Sequence, residues 1–359
     1  MKYNAQLSYK YIFSIFLLLQ FLDSKSNENI NVFLNSPDHT FDLKFSALFL
    51  KPGASNLGFA AEAKPVPLAS PNWSIFSVSP KYSFGFDLGF RGIFHQQNTN
   101  IMMNWERFRS CHCSFRSAPV NNMVGPFFEI GPDAAFYTSV LGSAFFYFNQ
   151  INIDYGQMVD FGDRLHTNFF IGINVAQINQ TISSFFAGTS SGDAGGAITK
   201  KITVPIEYIG AGPQCGVEFT YCIASDLHLT GKTVATILMG RLDNYTTFNS
   251  VSPLLPSVSS PTPNFQTILV QKSTQVVPEF EQNLGLLYEF DLWCDALGSI
   301  EVGYQTKIFI NALQSVDLSS EVLLPPETPN EVGVFARTFH KTLSNFSLFG
   351  PYISLDIGF

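Results

Sequence analysis

From residue 41 onward, apolar and polar side chains alternate along this chain in stretch after stretch. At 82–94, Tyr82, Phe84, Phe86, Leu88, Phe90 and Phe94 fall on one parity, and Ser83, Gly85, Asp87, Gly89 and Arg91 on the other. Successive side chains of a β-strand point to opposite faces, so this spacing predicts a strand with an aromatic face and a polar face. At ~3.3 Å per residue such a strand crosses a hydrocarbon core even when tilted. The same period recurs at 41–49, 101–106, 217–222, 284–290, 300–310 and 353–359. Residues 146–155 and 168–176 read as a hairpin, and 227–241 as one strand or two. About twelve segments stand out, and a chain of this length suits about 14 to 16 membrane strands, an even number. Stretches rich in Pro, Gly and Ser at 52–80, 110–132, 188–201, 250–263 and 317–330 read as long loops between them. The predicted fold is all-β, a transmembrane antiparallel β-barrel. Its long loops lie outside and its short turns face the periplasm.

The first residues break the pattern. Lys2 and Lys10 form a positive segment ahead of a short apolar run at 11–22, and Ser24-Lys25-Ser26 follows with small residues. This is the pattern of a signal peptide at 1–26, leaving 27–359 as a single barrel domain. The run is too short to span ~30 Å of hydrocarbon as a helix. Composition points the same way. Charged residues make up only 13% of the chain and aromatics 15%, with 37 Phe. That is too little charge for the surface of a water-soluble domain and too much Phe for one core. A mean hydropathy of +0.14 is too low for a bundle of membrane helices and fits alternating lipid-facing and lumen-facing positions. A β-sandwich also alternates, but it predicts shorter strands and a more charged surface. Without the signal peptide, 17 basic and 27 acidic side chains remain, a net charge of −10 that opposes nucleic-acid binding.

Catalytic chemistry finds little support. Gly188-Thr189-Ser190-Ser191-Gly192 has the letters of a nucleophile elbow but sits in a flexible Gly/Ser stretch without the required strand and helix. Gly210-Ala211-Gly212-Pro213-Gln214-Cys215-Gly216 is one residue too long for a dinucleotide loop and reads as a tight turn or kink leading into a strand. The six histidines show no metal spacing. Cys111-His112-Cys113 is the one ligand-like cluster. In an exported protein a disulfide role for Cys111 and Cys113 is favoured there over zinc. Cys215 and Cys222 have opposite parity on one strand and cannot bridge each other. The pairs Glu279/Glu281 and Asp291/Asp295 read as solvated charge at strand ends. No catalytic residue, metal or cofactor is expected, and the chain is not expected to be an enzyme.

Charges within the strands carry more information. Asp87, Arg91, Asn104, Glu106, Glu218, Glu289, Glu301, Lys307 and Asp356 lie opposite the apolar stripe. Facing lipid at mid-depth, Arg or Lys costs ~2–4 kcal/mol. Their parity therefore predicts a polar, hydrated interior and makes them pore-lining candidates. Phe359 falls in register with Ile353, Leu355 and Ile357, as the lipid-facing end of a closing strand that pairs with the first one at 41–50.

At this point several stretches resemble the Legionella-type major outer membrane proteins, which also occur in chlamydia-like bacteria. The stretches are KYSFGFDLGFRGIF with NIMMNWERF, FFYFNQINIDYGQ with NFFIGINVAQINQ, IGAGPQCGVEFTYCIASDLHLTGKTVATILMGR, VVPEFEQNLGLLYEF with GSIEVGYQTKIFIN, and the closing LFGPYISLDIGF. Ile209 stands where the family usually has Phe. The resemblance implies a pore-forming protein of the bacterial outer membrane, often a homo-oligomer, that admits small hydrophilic solutes. In chlamydial relatives it also implies disulfide cross-linking of the envelope. The expected partners are outer-membrane lipid and the barrel-assembly machinery, with the terminal Phe359 as assembly signal. The expectation is a passive diffusion pore, with selectivity set by lumen charges and by a loop folded inward. Its rival is a structural or adhesive barrel with a plugged lumen.

Overall fold

The structure, a computed structural model, describes residues 41–63, 74–94, 97–118, 123–125, 137–189, 197–251, 263–269, 272–292, 296–324 and 334–359. The signal-peptide segment and the Ser190–Gly192 part of the elbow-like motif lie outside them. The described residues form 14 strands in one sheet, of which ten rather than the expected 14 to 16 make up the barrel wall. In chain order these are β1 (Phe41–Ala54), β2 (Gly58–Ala63), β3 (Ser74–Ser77), β4 (Ser83–Phe94), β5 (Thr99–Ser117), β6 (Met123–Gly125) and β7 (Tyr137–Phe161). Then follow β8 (Leu165–Thr189), β9 (Ala197–Cys222), β10 (Leu227–Val251), β11 (Pro263–Leu269), β12 (Ser273–Asp291), β13 (Leu297–Leu324) and β14 (Val334–Gly358).

Ten of the strands make a closed ring. β1, β4, β5, β7, β8, β9, β10, β12, β13 and β14 pair antiparallel in that order, and β14 pairs back onto β1 from Asp42↔Gly358 to Ala54↔Phe346. The seam is tied at its end. Phe41 N donates to Phe359 O at 3.3 Å, Phe359 N donates to Phe41 O at 3.0 Å, and the two rings stack with centroids 5.2 Å apart. Following the register once around the ring returns to β1 about twelve residues further along, so the strands lean by about 40°. The β4–β5, β7–β8, β9–β10 and β12–β13 connections are short and share one end of the ring. Gly162, with φ +71°, supplies the left-handed residue of the β7–β8 turn. The five longer connections lie at the other end, which is therefore the outer end.

The strands are longer than the alternation suggested. β5 runs through 110–117, so Cys111-His112-Cys113 lies in a strand, not a loop. β13 takes in 317–324, and β10 is a single strand. The glycine stretch at 210–216 is not a turn or kink but the middle of β9, in register with β8 on both sides. Glu279 and Glu281 sit in mid-strand on β12, not at a strand end.

The strands outgrew the pattern because the pattern changes phase. In the turn-side half of β8, Phe169, Ile171, Ile173 and Val175 face outward, while Asn168 and Asn174 are buried inside. Beyond Ala176 the parity inverts, so that Ile178, Ile182 and Phe186 are buried inside while Gln177, Asn179 and Ser183 face out. β7 inverts at Asn149, with Phe146 and Phe148 inside beyond it. On β1, β5 and β10 the outward apolar run ends at Lys51, Arg107 and Arg241. This belt of outward polar residues marks the upper edge of the hydrocarbon. The outward run from Phe41 to Phe49 on β1 covers about 20 Å of height at the lean given above, near the ~25 Å apolar band of an outer-membrane barrel. Ile171, Ile173, Ile237 and Met239 are each about 60% exposed, an arrangement that only a lipid solvent stabilises.

The connection between β1 and β4 turns into the ring. Leu57, Phe59, Ala60, Ala61 and Val78 are buried. Asn56 and Gln180 exchange side-chain hydrogen bonds at 2.7 and 3.0 Å, and Ser184 Oγ donates to Phe59 O at 3.1 Å. The part of this connection at 57–61 is therefore folded inward, and β2 pairs there with β3 and β6.

Glycine allows one close approach inside the wall. A Cβ on Gly212 of β9 would collide with the backbone of Ile237 on β10, and one on Gly240 with Ile209 O. Gly212→Val is expected to destabilise the barrel by about 1–3 kcal/mol. The check is its urea midpoint after refolding into micelles, read by the mobility shift between heated and unheated samples. A midpoint equal to wild type would contradict this packing.

Candidate functional site

In the turn-side half, every strand of the ring sends a charged or amide side chain inward. The ring is narrow enough for these groups to meet across the lumen. Lys307 Nζ on β13 lies 2.5 Å from Glu106 Oε2 on β5 and 3.2 Å from Glu281 Oε2 on β12. It also donates to Gln150 Oε1 on β7 at 2.6 Å. β7 and β13 stand five places apart in the ring of ten, which is diametrically opposite. Gln150 in turn donates to Glu279 Oε1, and Asn174 of β8 to Glu279 Oε2, both at 2.7 Å. A second bridge joins Arg91 of β4 to Glu218 of β9 at 2.6 Å. A third centres on Glu301, which accepts from Lys44 at 2.9 Å, Thr230 at 2.7 Å, Tyr352 at 2.6 Å and Ser354 at 3.3 Å. Lys232 lies 3.9 Å from Glu218 and 3.8 Å from Glu281, linking two of these groups. Gln214 donates to Asp154, and His228 lies 3.4 Å from Glu289 near the turns.

Among the bridges lies a cavity of about 170 Å³, walled by these charges. All nine interior residues singled out in the sequence line it: Asp87, Arg91, Asn104, Glu106, Glu218, Glu289, Glu301, Lys307 and Asp356. They are not spread along an open bore: Arg91, Glu106, Glu218, Glu301, Lys307 and Asp356 are gathered into ion pairs around it. Sequence reasoning missed Lys232, Glu279 and Glu281 as inward groups. The parity of 279 and 281 with Glu289 on the same strand was the signal that could have placed them. Cys111 and Cys113 are free thiols exposed on the outer face of β5. Cys215 is exposed and Cys222 buried, also as thiols.

Directly above the charged half the interior is closed by an apolar layer, contrary to the expectation of a polar bore throughout. Phe148 of β7 meets Phe309 of β13 at 5.5 Å and Phe346 of β14 at 6.2 Å between centroids, and Phe146 meets Phe346 at 6.0 Å. Leu48, Leu50, Phe108, Ile178, Ile206, Tyr208 and Leu238 complete a layer with 1% exposure or less, and the inward-turned Phe59 packs onto it. Lys307 lies under this layer, its Nζ 5.5 Å from the Phe148 ring. The lumen is thus closed at two levels, by ion pairs and by aromatic packing. Among the described residues no group of three or more His, Cys, Asp or Glu is placed to hold a metal ion.

Breaking one member of a buried ion pair leaves an uncompensated charge and costs about 3–5 kcal/mol. Lys307→Met, which strands Glu106 and leaves Glu281 with Lys232 alone, is expected to lower stability by that amount in urea titrations. E106Q/K307M should recover part of the loss, since Glu281 keeps Lys232. Unchanged stability of K307M would exclude the trans-lumen bridge.

Comparison with known proteins gives one family. The family described as Legionella pneumophila major outer membrane protein precursor matches residues 35–359. No curated protein matches the chain. Among solved structures, the outer membrane protease OmpT from Escherichia coli superposes with a TM-score of 0.39 at 10% identity, over 90% of this chain and 98% of that one. The Pseudomonas putida toluene transporter TodX gives 0.34 at 8% identity, over 92% of each chain. A Pseudomonas aeruginosa FadL homologue gives 0.26 at 8% identity, over 90% of this chain and 91% of that one.

Proposed function

Since the chain belongs to the Legionella major outer membrane protein family, it is a protein of the bacterial outer membrane, and we propose that it is a channel for small hydrophilic solutes that rests closed. The charged half of the lumen carries the reading. A barrel that only had to be filled could pack apolar side chains at this depth, as its outer half does. It instead buries Asp, Glu, Lys and Arg on all sides of one cavity, at a desolvation cost that water in a conducting path removes. The path is passive and, in this reading, the chain is not an enzyme. Conduction requires the Lys307 and Arg91 bridges to part and the phenylalanine layer to shift. The protein is then a gated pore and not a standing general-diffusion porin.

The phenylalanine layer favours a second reading, a structural barrel whose lumen never opens and whose outer loops do the work. Planar bilayers separate the two. Wild-type protein is expected to be closed most of the time with rare small steps, and K307M/F148A/F309A is expected to raise the open fraction at least about tenfold, the weight of ~1.4 kcal/mol. Heat-modifiable mobility confirms that each sample is folded. If both folded proteins stay silent at every voltage, the channel reading fails and the structural barrel stands.

A further inference from the structure

The outer face carries a feature that a solute path does not use. On β5 the residues just above the apolar band are Arg107 and Arg109, two apart and both exposed on the outer face. Arg107 lies over the Tyr147 ring at 5.5 Å and Arg109 over the Phe145 ring at 5.1 Å, both rings on neighbouring β7. At the same belt, two places around the ring, Lys51 of β1 lies over Phe349 at 5.9 Å. Among the described residues none of these three cations has a carboxylate partner. The opposite side of the belt differs. There Arg241 Nε donates to Asp243 at 3.1 Å and Lys272 lies 3.2 Å from the same carboxylate. One side of the belt is neutralised by the protein itself and the other is not.

We propose that the Arg107–Arg109 face of β5 is a docking site for the phosphate groups of an outer-leaflet lipid. Cation–π contact with Tyr147 and Phe145 holds each guanidinium beside the wall, and with no carboxylate partner among the described residues its N–H donors are left for a phosphate, which a guanidinium can bind through two parallel donors. Arginine at this height costs little, because its stem runs along the apolar wall while its head reaches the interface. Directly below, Met103 and Ile153 are outward and exposed, so the same strands offer acyl chains a surface. A ligand with phosphates above acyl chains matches both halves. A soluble anion matches only the upper one, and an acidic protein segment has no use for the apolar strip.

The test titrates diphosphoryl lipid A into the refolded full-length barrel in a neutral detergent and counts retained lipid by native mass spectrometry. Wild type and R241Q are expected to retain it alike, and R107Q/R109Q to bind about tenfold more weakly. Lipid A stripped of its phosphates should bind wild type as weakly as diphosphoryl lipid A binds the double variant. Inorganic phosphate at the lipid's concentration should displace nothing. Equal retention by a folded R107Q/R109Q overturns the proposal, as does equal binding of the dephosphorylated lipid. Displacement by inorganic phosphate overturns the lipid as occupant. Should the double variant fail to fold, the two lipids compared on wild type decide alone.

Discussion

In hydrocarbon a backbone N–H or C=O has no water to turn to, so a sheet that enters the membrane must have no free edge. Everything else in this structure follows from that demand. It forces β14 onto β1 and sets the two backbone bonds between Phe41 and Phe359. The ring closes with ten strands, and that number together with their lean sets the bore. Two walls that can be joined by Lys307 and Gln150 at 2.6 Å leave only a small cavity beside the bridge. The ion pairs and the phenylalanine layer are two fillings of the same narrow tube.

The two fillings differ in what they ask of their surroundings. The phenylalanine layer is stabilised by shape and by release from water and requires nothing else. The charged layer is stable only while each member has its partner, because removing a charge from water costs several kcal/mol. Lys307 stands where they meet, bound to carboxylates on one side and lying beside the Phe148 ring on the other. A change in either layer therefore reaches the other through one side chain. This makes the interior a coupled unit and not a rigid plug with a charged lining.

Much of the wall could be read from the sequence, because period-two alternation states which residues share a face. Strand 82–94, the 146–176 hairpin and the seam between Phe359 and the first strand follow from that alone. Alternation does not state what a face meets. Asp87 and Glu218 were placed on the inner face, but an inner face can line a wide bore or touch the opposite wall, and ring size decides between them. Glu279 and Glu281 look like strand-end charge because the clean alternation begins only at Leu284, whereas β12 begins at Ser273. The outer halves of β7, β8 and β13 were read short for a further reason. Beyond Asn149 or Gln177 the outside is wet and the inside dry, so the apolar residues change parity and a single-phase search stops.

That change of parity has a consequence for how the strands find their alignment. A strand with one repeating code can slide by two residues and keep every side chain on its proper face. β8 carries two codes of opposite sense joined at Ala176, and β7 carries two joined at Asn149. A slide by one residue would put Ile171 and Ile173 among the carboxylates while turning Phe186 out into water, so the error is penalised twice. A slide by two keeps the faces but moves the junction up or down relative to its neighbours, leaving polar groups in lipid on one strand. The junctions act like the zero marks of adjacent rulers. They fix the depth of each strand as well as its facing, a vertical alignment that hydrogen bonding alone does not specify.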